Sequence, residues 1–129
     1  GVGFQLRNQN VNGVVTITVA DVDKELMKYT VVAYLPYPEG VDFTTSTHMK
    51  VYDLYDTILY FVNDKPFAAI EFSDFDGEYY TSGKVHDGSG VQVGGFTNRK
   101  IPRESNFAFV NRDSTIMIDN FKIYTVYTV

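Results

Sequence analysis

The sequence has no cysteine, no tryptophan and only two histidines. The lack of cysteine excludes disulfides, thiolate nucleophiles, zinc fingers and iron–sulfur ligation together, although it leaves the compartment open. Cations are scarce as well: 11 Lys and Arg against 16 Asp and Glu give a formal net charge of −5 over 129 residues. Nucleic acid is therefore an unsuitable partner, because neutralising phosphates takes clustered Lys and Arg. The densest basic group, Arg99, Lys100 and Arg103, is interrupted by Pro102. No apolar run approaches the roughly 20 residues that span a bilayer. The chain begins at Gly1 rather than Met and carries no signal peptide, which reads as a processed or excised piece. What the sequence does have is aromatic: ten Tyr and ten Phe within a hydrophobic share of 44%, enough for one globular core.

Alternation with period two dominates the chain. Val2, Phe4 and Leu6 alternate with Gly3, Gln5 and Arg7, and Val15, Ile17 and Val19 alternate with Thr16, Thr18 and Ala20. Half-buried strands give this pattern, and Asn12-Gly13 between the two runs signals a hairpin. Residues 21–28 break the pattern and predict either a short helical turn capped by Asp21 or a charged loop. Tyr29 to Leu35 reads as a buried strand, ended by Pro36 and Pro38. The spacing then predicts a meander of His48–Asp53, Thr57–Asn63 and Phe67–Phe72 joined by tight turns. Residues 73–103 read as a long Gly- and Asp-rich region with one apolar segment at Val91 and Val93. Strands return at Phe107–Val110, Thr115–Ile118 and Phe121–Val129. Short strands with frequent turn signals imply an all-β sandwich or barrel, as a single domain over residues 1–129.

Two stretches also carry a family likeness. Residues 48–67, from His48 through Tyr52, Tyr60 and Asn63 to Phe67, resemble the strand–turn–strand of concanavalin A-like (laminin G-like) jelly rolls. Residues 106–124, including Ile118-Asp119-Asn120-Phe121, are similar to that superfamily's closing strands. The resemblance implies an antiparallel jelly-roll β-sandwich. Members are commonly longer, so the chain either lacks the opening strands or is a minimal version. The Trp that often precedes the His is Thr47 here. The resemblance further implies a carbohydrate-binding or adhesion module of an extracellular or cell-surface, bacterial protein, with neighbouring domains of the parent protein as further partners. A role for Asp119 in holding structural Ca²⁺ is implied by the same likeness.

The residues themselves leave several chemistries open. Glycoside hydrolases sharing that fold place their carboxyl pair through Glu-x-Asp-x-x-Glu, whereas this chain offers only Glu71 to Glu78 at a different spacing. A degenerate or partial glycoside hydrolase is accordingly an alternative, as is a structural or protein-interaction spacer. Asp74 and Asp76, with Gly77 and Glu78, supply oxygen donors of the type Ca²⁺ takes, against the plainer reading of a solvated acidic turn. His86, Asp87 and Ser89 lie in a turn-forming sequence rather than a nucleophile elbow. Tyr34, Tyr37, Tyr79 and Tyr80 flank predicted loops, where a ring could stack on a sugar's C–H face. Against that stands the ordinary use of Tyr in a β core. The expected site is therefore Tyr79 and Tyr80 for stacking, Tyr37 as a further ligand-binding residue, and Asp74 and Asp76 for hydroxyls or calcium.

Overall fold

The computed structural model describes residues 1–7, 13–22, 29–42, 44–102, 109 and 116–124. Eight strands occur among them: β1 Val2–Arg7, β2 Val14–Val19, β3 Thr30–Pro36, β4 Met49–Asp53, β5 Thr57–Val62, β6 Lys65–Phe75, β7 Tyr80–Asp87 and β8 Gln92–Phe96. They form one sheet in the order β1-β2-β3-β8-β7-β6-β5-β4, and every neighbouring pair is antiparallel. The all-β antiparallel expectation holds. Its arrangement among the described residues is a single curled sheet, built from a three-stranded and a five-stranded meander laid side by side.

The alternation in sequence explains the core. On β5, Ile58, Tyr60 and Val62 turn inward and are buried, while Leu59 and Phe61 face outward and are half covered. Ile70 and Phe72 on β6, Val85 on β7 and Phe96 on β8 continue that inward face. Val15, Ile17 and Val19 of β2 and Ala33 and Leu35 of β3 supply the opposing wall. Curling brings the flanks together: the Phe4 ring on β1 lies 5.0 Å from Tyr60 on β5 and 5.8 Å from Phe67 on β6. Burying each such side chain stabilises the fold by roughly 1.5–3 kcal/mol.

The two meanders meet where β3 pairs with β8 at Ala33 and Gly94. A Cβ at position 94 would run into the Val32 carbonyl and the Ala33 side chain, so the approach requires glycine. A second link lies beyond the sheet. The Asp21 carboxylate accepts from the Lys100 N–H at 3.1 Å and faces Arg99 at 3.6 Å, while the Val22 N–H donates to the Lys100 carbonyl at 2.9 Å.

The structure corrects the sequence reading in three places. Residues 73–103, read as a Gly- and Asp-rich region with one apolar segment, contain the two strands β7 and β8. Their alternation is hidden because two inward positions, Gly83 and Gly94, are glycines beneath the Phe96 ring and the β3 backbone. The third meander strand runs from Lys65 to Phe75 rather than from Phe67 to Phe72. Pro66 is tolerated because pairing to β7 begins only at Ala68, and a register shift at Tyr60/Phe61 lies beside it. Residues 116–118 and 121–124, expected as strand, lie outside every strand and are exposed, since propensity without a paired edge does not make a sheet. Asn12 of the first hairpin turn, residues 23–28 of the predicted helical turn, and most of Phe107–Val110 lie outside the described residues, as do Thr115 and residues 125–129.

Gly94→Ala tests the seam. Backbone rather than a movable side chain opposes the added methyl, so the variant is expected to lose roughly 1–3 kcal/mol, seen as a lower urea midpoint.

Candidate functional site

Two turns at one end of the sheet build the candidate site. The first joins β4 to β5 through Leu54, Tyr55 and Asp56. The Asp53 carboxylate accepts from the Tyr55 N–H at 3.1 Å, and the Leu54 N–H donates to the Thr57 carbonyl at 2.8 Å. The Asp56 N–H then donates to the Leu54 carbonyl at 3.0 Å, an i→i+2 bond closing a γ-turn with Tyr55 at its centre. The central φ is +76°, the uncommon and strained form of that turn, and strained for a bulky side chain. The Phe72 N–H donates to the Asp56 carbonyl at 2.8 Å and fixes the turn to β6.

The second turn joins β6 to β7 through Asp76-Gly77-Glu78-Tyr79. One carboxylate oxygen of Asp76 accepts from the Glu78 N–H at 2.9 Å and the Tyr79 N–H at 2.6 Å. The Asp76 N–H donates to the Tyr79 carbonyl at 3.0 Å. The Tyr79 N–H, then the Glu78 N–H, hold the Asp76 carboxyl below its ordinary range. The Tyr79 hydroxyl is held above its ordinary value by its hydrogen bond to Glu78.

Between the turns stands an aromatic ridge. Tyr80 is buried and bridges to Ile101 through two backbone hydrogen bonds of 3.1 and 2.9 Å. Its ring lies 5.4 Å from Phe72, 5.0 Å from Phe75 and 6.3 Å from Tyr55. Tyr55 and Phe75 remain 63% and 48% exposed, so both present ring surface outward while resting on a buried anchor. Edge and tilted contacts of this kind contribute about 0.5–1.5 kcal/mol each beyond burial, which restrains the outer rings.

The expected site residues are thus distributed among different roles. Tyr80 lies in the core and anchors the ridge. Tyr79, its neighbour, is half-buried and tied to Glu78. Tyr37 packs against the core beside Gly13, and burial raises its hydroxyl pKa. Tyr34 is exposed on β3 opposite Thr16. Asp74 is exposed with a left-handed φ of +56°, and its carbonyl accepts from the Thr81 hydroxyl at 2.8 Å. Asp76 is engaged by its own turn, and the Asp119 carboxylate accepts from the adjacent Asn120 N–H at 2.8 Å. Among the described residues, no three His, Asp or Glu side chains converge as a metal ion needs. His86 and Asp87 end β7, and the Asp87 carboxylate accepts from the Ser89 and Val91 N–H groups of the turn that follows, at 2.9 and 3.0 Å.

Tyr55 and Phe75 are the residues that sequence reasoning missed. The signal was present for Tyr55: an aromatic ring between two aspartates in a tight turn has nowhere to bury itself. An open cleft of about 320 Å³ on the outer face is bounded by Leu59, Phe61, Ala69, Glu71 and His86. Comparison of the chain with family models, curated proteins and solved structures finds no match, so the functional reading rests on this geometry.

The turn carboxylates predict an acid response. Asp42, held low by the Thr44 hydroxyl and N–H, Asp64, held low by Lys50, and Asp76 all have folded-state pKa values below the ordinary one. Depressed carboxyls favour the folded state above the unfolded pKa of about 3.9, and that contribution disappears as pH falls through the folded value. Urea midpoints between pH 6 and pH 2 should show Asp76→Ala less stable than the parent at neutral pH. The gap should narrow below about pH 4 as the parent's own carboxylate is protonated.

Proposed function

We propose that this chain is a non-catalytic carbohydrate-binding or adhesion module of an extracellular or cell-surface protein, with the fold of a concanavalin A-like jelly roll. The observation that carries the reading is the pair of exposed rings, Tyr55 and Phe75, held on buried Tyr80 at the end of the sheet. A pyranose has a C–H face that packs on an aromatic ring and hydroxyls around its rim that donate to carboxylates. Tyr55 and Phe75 offer the first kind of surface, and exposed Asp74, beside Phe75 in the chain, offers the second. The γ-turn strain at Tyr55 supports this reading, because strained residues gather where a side chain must be presented in one orientation. A ring already held in place loses little freedom on binding, which favours affinity.

Strands β4 and β5 and the Asn63-Asp64 turn after them, both turn residues at positive φ, lie within the stretch that carries the family resemblance. The non-catalytic part of the reading draws on the carboxylates. A retaining glycosidase needs two carboxyl groups about 5–5.5 Å apart across the scissile bond. Here Asp76 and Asp87 each commit one carboxylate oxygen to two turn N–H groups.

A glycan array, followed by calorimetric titration of the best ligand with calcium and with EDTA, tests the proposal. Tyr55→Ala and Phe75→Ala should each weaken binding about tenfold, or 1.4 kcal/mol, with circular dichroism unchanged. Tyr79→Phe should bind as the parent does. Silence across plant, host and microbial glycans would sink the carbohydrate reading.

A further inference from the structure

Strand β4 is an edge, pairing with β5 on one side and with no described strand on the other. Its register against β5 is regular from Met49 to Asp53, with no bulge and no proline to blunt it. All five of its residues are exposed, including Met49, Val51 and Tyr52 at 36%, 47% and 41%. The opposite edge differs. On β1, Val2 and Phe4 pack on the core and most residues are half-buried, whereas every residue of β4 is exposed. Of the two edges among the described strands, β4 is the more accessible template.

The same molecule carries a segment suited to it. Residues 116–124 lie outside every strand, and Ile116, Met117, Ile118, Ile123 and Tyr124 are 51%, 94%, 49%, 73% and 76% exposed. Run antiparallel to β4, with Val51 opposite Ile118, the segment matches it in two ways. Ile116 and Ile118 extend the inward face that Met49 and Val51 occupy. On the outward face, Met117 comes opposite Tyr52, and Asp119 opposite Lys50, which already pairs with Asp64 at 2.8 Å. A slip of one residue would put Asp119 on the inward face, so the register is set by side-chain alternation and charge.

We propose that two copies of this chain associate by reciprocal strand addition, residues 116–120 of each pairing antiparallel with β4 of the other. Each copy holds one donor segment and one acceptor edge, so the exchange closes about a two-fold axis and leaves neither uncovered. This surface is separate from the aromatic ridge of the proposed glycan site, and the inference does not depend on that reading.

The absence of cysteine makes the test direct. Val51→Cys and Ile118→Cys are prepared as separate full-length single variants and mixed under mild oxidation, with Glu39→Cys as an exposed control in place of either. The expected result is a covalent heterodimer formed about tenfold faster than with the control. In parallel, sedimentation of the parent over a concentration series should approach twice the monomer mass. Lys50→Asp and Asp119→Lys should each shift it back to monomer, and the two combined in one chain should restore the dimer. Cross-linking no faster than the control, or a parent that stays monomeric throughout, would overturn the proposal. So would a doubly substituted chain that closes its disulfide within one monomer, because the segment would then dock on its own sheet.

Discussion

The narrow contact between β3 and β8 is the constraint on which the rest of the fold depends. Each meander alone is a short antiparallel ribbon with one apolar face, and neither can cover that face by itself. Joined at Ala33 and Gly94, they become one sheet long enough to curl, and only then can Phe4 reach Tyr60 and Phe67. Core closure across the flanks is thus a consequence of the seam. The Asp21 contacts to Arg99 and Lys100 brace the same junction from outside the sheet. They also fix the segment that leads into Ile101, whose bridge to Tyr80 holds the buried anchor of the aromatic ridge. Seam, brace and ridge form one chain of dependence.

The acidity of the sequence has a structural use that net charge conceals. Asp42, Asp53, Asp76 and Asp87 each accept a backbone N–H two residues ahead, and each closes the turn it begins. A sheet this rich in turns needs many such acceptors, and an aspartate can supply one without a tertiary partner. An acidic turn in a β protein therefore weighs little toward metal or catalysis until its carboxylate oxygens are shown to be unengaged. Asp74 differs from its neighbours in this respect: its backbone carbonyl, not its carboxylate, makes the local bond to Thr81.

The legible parts of the fold were those whose alternation is written in side chains. Strand β5 announces itself through Ile58, Tyr60 and Val62, and the turn after it through Asn63-Asp64, two residues that tolerate positive φ. Strands β7 and β8 were illegible because their inward positions include Gly83 and Gly94, where the facing group fills the space. Tyr79 is half-buried and Tyr80 lies in the core, for a reason written in the pleat. Adjacent residues on a pleated strand leave opposite faces, so two neighbouring tyrosines entering β7 cannot both stand on the surface. Tyr55 was legible in part: its place in a tight turn between Asp53 and Asp56 signals exposure, while the positive φ that orients the ring is not encoded in composition.

The two exposed features of the molecule have opposite physical characters, and this separates their roles. Tyr55 and Phe75 are exposed but restrained, each packed against Tyr80, with the Tyr55 backbone held at positive φ by hydrogen bonds on both sides. A surface restrained in this way would suit a rigid ligand presenting a flat apolar face. Strand β4 offers a line of backbone donors and acceptors with alternating side chains, which selects for another extended chain and discriminates little among small molecules. Both begin at the same turn, since β4 ends at Asp53 and the γ-turn follows at once. Strand addition along β4 would therefore lengthen the sheet next to Tyr55 without covering the ring from above. Two copies associated this way would carry two ridges on one rigid frame. For a polymeric glycan, whose repeating units offer many equivalent contacts, such doubling raises avidity even where each ridge binds weakly, provided the chain can span both sites.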